Sequence, residues 1–345
     1  MDSFFKEEYN KLNKYLNIIF NELEKEDLFL LNYSSYIDYL CRKIEVEFND
    51  NIHYKLYDKK SALTFMDVYN LTRDIIKDIN PKYLVNYDKI LDNGILDFSY
   101  DNNDSSSFTY DYDTHKISIN INRKFNYRDI ITLIHEFFHY TNYSDSNTIN
   151  QNVLTEFISI YFETYAINYL RDIGIPIEQI NPYDRLDDLS KNYKIFKSYS
   201  KILTMFNLFG SVDNYAIDMY KKKTGYIDTY KITEQSFELL FILQNIEQDY
   251  YESYDKKYNI EEVLSALFKD NYKYIIGTIL AFYAIDNVDK KSIILLNDNI
   301  NTKEVGNIDT IELLNMIGID INDDSFIDKV VESIRKFVKN SEKQR

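Results

Sequence analysis

The residues most able to do chemistry lie in one short run, His135-Glu136-Phe137-Phe138-His139. Histidines four apart on a helix differ by about 40° in direction, so both imidazoles reach one point in space. Two imidazoles with a carboxylate suit Zn²⁺, with a fourth position left for water. Glu136 stands one residue along, placed to take a proton from a metal-activated water and pass it to a leaving amine. A third ligand is required, and no histidine follows His139. The next helical pattern supplies Glu156, Ser159 and Glu163, which share one face because three- and seven-residue steps return to the same side. The rest of that segment is apolar: Val153, Leu154, Phe157, Ile158, Ile160 and Phe162. A carboxylate turned into such a core is costly without a cation or donor. Glu156 is therefore assigned as the third ligand and Glu163 as the residue that orients a ligand imidazole. An ion pair or an exposed position is the competing reading of Glu163.

These residues need two adjacent helices, and the pattern provides them. Ile130, Leu133, Ile134, Phe137 and Phe138 set a helical period over 127–142, with Asn126 as a candidate N-cap. A second helix is expected over 151–171, ending before Gly174-Ile175-Pro176. Ahead of them, Ile95–Tyr100 reads as a strand, and 108–122 as a hairpin turning at Asp113-Thr114. The arm Ile117–Asn122 alternates apolar and polar residues as a half-exposed strand does. Residues 1–80 carry helical periodicity, for example Tyr9, Leu12, Tyr15, Leu16 and Ile19, and Pro81 is expected to end that section. The apolar run Tyr274–Ile285 reads as a buried core helix.

The composition agrees with a mainly α fold. Only 7 Gly and 3 Pro occur in 345 residues, too few for the turns of a strand-rich sandwich or barrel. The isolated glycines give no G-x-G-x-x-G or G-x-x-x-x-G-K loop for phosphate. A net charge of −16 argues against nucleic acid and anionic membrane surfaces as partners. The single cysteine, Cys41, has no internal disulfide partner and no evident base, which fits a reducing compartment and argues against a thiol nucleophile. The first residues lack a basic, apolar leader, and no run reaches a membrane span, so a cytoplasmic location is expected. Neither His53 nor His115 has a partner pattern, and neither is assigned to the site. Lys221-Lys222-Lys223 reads as a solvated loop end.

The stretches Ile117–Asn122, Asp129–Glu136 and Leu154–Glu163 resemble the oligoendopeptidase F and thimet oligopeptidase family, with its N-x-N-like edge strand, T-L-x-H-E-x-G-H helix and E-x-x-S-x-x-x-E helix. Tyr272-Lys273-Tyr274-Ile275-Ile276-Gly277 is similar to its Y-x-Y-x-x-G segment, and Ile311–Leu314 through Gly318-Ile319-Asp320 to its closing helix and turn. The resemblance covers about residues 115–340. It implies a gluzincin-type helical metallopeptidase with a small β-hairpin and edge strand beside the active-site helix, and one zinc held by His135, His139 and Glu156. Residues 1–110 would be a reduced N-terminal helical lobe and 111–345 the catalytic domain with a C-terminal helical bundle. Short or unstructured peptides would be the substrates, bound in a cleft more open than the family's. Peptide backbone would pair along the edge of Ile117–Asn122.

Three departures from the family pattern stand out. Phe138 replaces the glycine before the second motif histidine, and the 17-position step from His139 to Glu156 is short. The family's C-terminal histidine, which stabilises the oxyanion, has no counterpart. Its task would fall to hydroxyls, and Tyr272 and Tyr274 are the matching candidates, although ordinary packing is the competing reading in a chain of 33 tyrosines. The alternatives to a peptidase are a catalytically weak peptide- or protein-binding relative, which the retained Glu136 argues against, and metal-dependent hydrolysis of a non-peptide bond.

Overall fold

The structure is a computed structural model that describes residues 39–40, 42–44, 61–100, 106–111, 114–143, 152–192, 260–300, 302 and 308–342. His53, Cys41, the 221–223 lysines, the turn residue Asp113 and most of residues 1–60 lie outside the described residues. The chain divides into two compact units, one of residues 1–43 and 190–275, the other of 44–189 and 276–345. The boundary expected at 110/111 falls inside a strand of the second unit, so a division there would cut its sheet.

The described residues are mainly helical. In the second unit α1 spans Phe65–Ile79 and a 3₁₀ turn spans Pro81–Tyr83, which leads into α2, Leu84–Asp92. Thr64 and Asp67 cap α1 reciprocally: the Asp67 amide donates to the Thr64 hydroxyl at 3.2 Å, and the Thr64 amide donates to the Asp67 carboxylate at 2.8 Å. At the end of α2, Gly94 takes a left-handed φ of +63°, and the Ile95 amide reaches back to the Ile90 carbonyl at 2.9 Å. That Schellman closure turns the chain directly into the first strand.

Three strands follow: β1, Leu96–Ser99; β2, Ser107–Asp111; and β3, Lys116–Asn122. The sheet order is β1-β3-β2, with β1 parallel and β2 antiparallel to β3. The hairpin expected over 108–122 is present, but its second arm is not an edge. Leu96 and Phe108 both pair with Ile119, one from each side, so the backbone groups of β3 are already engaged by two neighbours. The open edges among the described residues belong to β1 and β2. His115 sits in the hairpin turn at φ +53°, exposed, with Nδ1 2.5 Å from the Tyr110 hydroxyl.

β3 feeds α3, Arg128–Thr141, through a turn held by one carboxylate. Asp129, buried, accepts from the backbone amides of Lys124 (2.7 Å) and Phe125 (3.2 Å) and from Arg123 Nε at 2.7 Å. Asn126 caps one position ahead of the helix, accepting from the Arg128 amide at 2.9 Å. α4 runs Asn152–Asp172 and is apolar nearly all round, as a helix enclosed by its neighbours must be. It is followed by the short α5, Ile177–Ile180, and by a helical stretch at 184–192.

The last helices are α6, Ile260–Asn287; α7, Lys290–Asn299; α8, Thr310–Met316; and α9, Phe326–Glu342. The division between the two units falls within α6. In the second unit α9 packs a stripe of Phe326, Val330, Ile334 and Phe337 inward, with Phe337 edge-on to Phe282 and Phe326 stacked on Tyr283. No described helix is long and apolar enough to cross a membrane, α6 included.

Candidate metal centre

α3 and α4 lie against each other, and a pair of rings sets their spacing. Phe138 is fully buried and stacks on Phe162 with centroids 3.9 Å apart and planes 16° from parallel. Its other side meets Tyr83 edge-on at 5.7 Å. The large side chain therefore fills the space between the two helices where the family pattern has glycine. Close approach occurs instead at Gly277 on α6. A Cβ there would lie 3.1 Å from the Phe157 nitrogen and 3.2 Å from both the carbonyl carbon and Cβ of Glu156. Glycine lets α6 press directly on the turn of α4 that carries Glu156.

This packing brings His135, His139 and Glu156 together. The two Nε2 atoms are 3.0 Å apart, and Glu156 Oε2 is 3.6 Å from each. Four ligands held tetrahedrally at about 2.0–2.1 Å from a zinc ion stand about 3.3–3.4 Å from one another. The triangle of donor atoms is close to one face of that tetrahedron, and two imidazoles with a carboxylate are the donor types zinc takes. His135, His139 and Glu156 also form a group whose ligand atoms all lie within 4.8 Å of one another. The residues fit the ion.

The far side of each imidazole is also engaged from α4. His135 Nδ1 lies 3.1 Å from Glu163 Oε2, and His139 Nδ1 lies 3.4 Å from the Ser159 hydroxyl. Glu156, Ser159 and Glu163 thus use one face of α4 in the way their spacing requires. Glu163 is 6% exposed, a depth at which an ionised carboxyl needs strong compensation. Burial alone would raise its pKa. The Arg185 guanidinium and the hydrogen bond from His135 reverse that and hold it near 2, so the group is a carboxylate and Nδ1–H of His135 must be the donor. The Nε2 lone pair of His135 then faces His139 and Glu156.

Arg185 has no place in the motif reading. It lies 22 residues beyond Glu163, outside any helical period shared with it. The signal that leads to it is physical: a buried Glu163 demands a cation, and the 184–192 stretch supplies one. Spacing places Ser159 on the same face of α4 as Glu156 and Glu163 without saying what it touches; the structure sets its hydroxyl 3.4 Å from His139 Nδ1.

Glu136 is 7% exposed on α3, next to His135, with no hydrogen bond to another described residue. Tyr272 and Tyr274 lie on α6 within the range of the other unit; Tyr272 is buried and Tyr274 half-buried. His115 is committed to the hairpin turn.

No protein-family model and no curated protein matches this chain. Among solved structures it is similar to one assigned as an oligoendopeptidase F from Bacillus anthracis str. Ames, at 13% identity and a TM-score of 0.44, over 94% of this chain and 56% of that one. PZ peptidase A with an inhibitor gives 12% identity and a TM-score of 0.46 over 99% and 62% of the two chains. A second structure assigned as an oligoendopeptidase F gives 14% and 0.46 over 94% and 58%. The chain spans little more than half the length of the solved structures to which it is similar.

Proposed function

We propose that this chain is a zinc-dependent metallopeptidase that hydrolyses peptide bonds in short or unstructured peptides. The observation that carries the reading is the convergence of His135 Nε2, His139 Nε2 and Glu156 Oε2, with Glu136 next to His135 on the same helix. His135, His139 and Glu156 would hold the metal. Zinc, when bound, supplies a Lewis acid that lowers the pKa of a water and polarises a carbonyl.

The chain's own groups do the rest. Glu136 takes the proton of the attacking water and returns it to the leaving amine, for which a carboxylate without a competing hydrogen bond is suited. Glu163 and Ser159 keep the two imidazoles aimed. Tyr272 and Tyr274 are proposed as hydroxyl donors to the developing oxyanion. With β3 enclosed, an extended peptide would pair along the outer side of β2, an edge strand among the described residues, whose Phe108 ring lies 6.4 Å from that of Tyr140 on α3.

The test is hydrolysis of a quenched-fluorescence peptide library by protein carrying one equivalent of zinc. Cleavage that disappears with chelator and returns with zinc supports the reading. Glu136→Gln should retain the metal and lose about 10²–10⁴-fold in rate. Zinc bound at one equivalent with no chelator-sensitive cleavage would instead make the chain a peptide binder.

A further inference from the structure

We propose that Arg185 is a positioning residue for this centre: it clamps Glu163 in the orientation that fixes His135 with its proton on Nδ1 and its Nε2 lone pair toward His139 and Glu156. This deepens the metal-site reading and rests on it.

The geometry is specific. Arg185 Nε lies 2.9 Å from both Glu163 oxygens, and Nη2 lies 2.9 Å from Oε2. A guanidinium fork held this way sets both the position and the plane of the carboxylate. Oε2 is also the atom 3.1 Å from His135 Nδ1. Arg185 Nη2 approaches the same Nδ1 to 3.3 Å, but it carries only N–H donors. An ionised carboxylate oxygen only accepts, so at 3.1 Å Nδ1 must carry the proton and donate it to Oε2, and Nη2, a second donor, makes no hydrogen bond to it. The other arm, Nη1, has the Asp188 carboxylate 3.8 Å away, an ion-pair distance longer than a hydrogen bond. Glu163 alone would be a buried charge with one imidazole donor and nothing to fix its plane. An imidazole that carries its proton on Nε2 has no lone pair there to present to a metal, and one that turns freely must be ordered when the metal binds.

The experiment compares wild type, Arg185→Gln and Arg185→Lys. Zinc affinity is measured by competition with a chromophoric chelator. The His135 tautomer is read in the metal-free protein, at one fixed pH alkaline enough to keep the ring neutral, from its ring ¹⁵N–¹H correlations. Wild type should show a single Nδ1–H form. Arg185→Gln should lose about 10–100-fold in zinc affinity and no longer show one tautomer. Arg185→Lys, which keeps the charge without the fork, should recover only part of both.

A folded Arg185→Gln with the Nδ1–H signature and wild-type zinc affinity would overturn the inference. So would a loss of stability with the tautomer unchanged, which is what a merely structural role predicts. If Arg185→Gln does not fold, Arg185→Lys decides: wild-type affinity and tautomer there also overturn it. Failure of the wild type to bind zinc would overturn the metal reading instead, and the tautomer measurement would still decide the role of Arg185.

Discussion

Replacing Gly277 by alanine should loosen the proposed metal centre at Glu156. The new methyl would stand 3.1–3.2 Å from Phe157 N and from the carbonyl carbon and Cβ of Glu156, about 0.2–0.3 Å inside ordinary contact. Two of the three atoms are backbone, so no side-chain rotation relieves the clash. α4 must move, and it moves at the residue that supplies the third ligand. Functional geometry tolerates displacements of about 0.5 Å, so the shift consumes roughly half of that margin. Zinc affinity should therefore fall by up to about tenfold, or about 1.4 kcal/mol. Two terms oppose each other in folding stability: alanine gains about 1 kcal/mol of helix propensity over glycine, and overpacking costs about 1–3 kcal/mol. The net expectation is a loss of about 0–2 kcal/mol. Urea unfolding of the metal-free protein gives the second quantity, and chelator competition the first. Gly94→Ala is the control, because its Cβ would meet nothing within 4 Å while its φ of +63° is strained for alanine. It should lose stability and leave zinc affinity unchanged. A Gly277→Ala protein that is stabilised and binds zinc as the wild type does would refute the close-packing argument.

Other substitutions test other links. Asp129→Ala removes the acceptor that gathers two backbone amides and Arg123 at the start of α3, and should cost about 3–5 kcal/mol in urea unfolding, since it leaves a buried guanidinium uncompensated. Phe138→Ala should cost about 3–5 kcal/mol and lower zinc affinity as well, because the gap opens between the two helices that carry the ligands. Burial raises Asp184 from 3.8 to about 6, against the opposing charge of Arg128. A raised carboxyl gives stability that is complete below its unfolded pKa and lost as pH rises through the folded one. This group should thus take away up to about 3 kcal/mol between pH 4 and 6. Asp184→Asn should flatten that part of the stability profile, and an NMR titration of Asp184 with its midpoint below 4.5 would sink the account.

The helices and the meeting of His135, His139 and Glu156 were legible in the sequence because each depends on spacing along one helix or on two helices close in the chain. His135 and His139 need only the period of α3, and Glu156, Ser159 and Glu163 only that of α4. The status of β3 was not legible. Alternation of Ile117, Ile119 and Ile121 reports which face of a strand is buried, whereas edge or centre concerns the backbone groups, on which side chains carry no mark. The parallel partner Leu96–Ser99 is joined to β3 only across β2. Arg185 was hidden for a related reason: charge compensation has no period. The two units escaped notice because each is assembled from separated stretches of chain, which a linear scan of composition cannot join.

The Phe138–Phe162 stack bears on which ions this centre can accept. The rings stand in face contact, one residue from His139 on one helix and one residue from Glu163 on the other. Aromatic faces already in contact cannot come closer, and separating them opens a void in the core. The distance between the ligand-bearing helices is therefore nearly fixed. A larger cation such as Ca²⁺, which needs six to eight oxygen ligands at about 2.3–2.6 Å, would have to spread the pair. If the proposed centre binds a metal, the aromatic stack would act as a size gauge that disfavours larger ions.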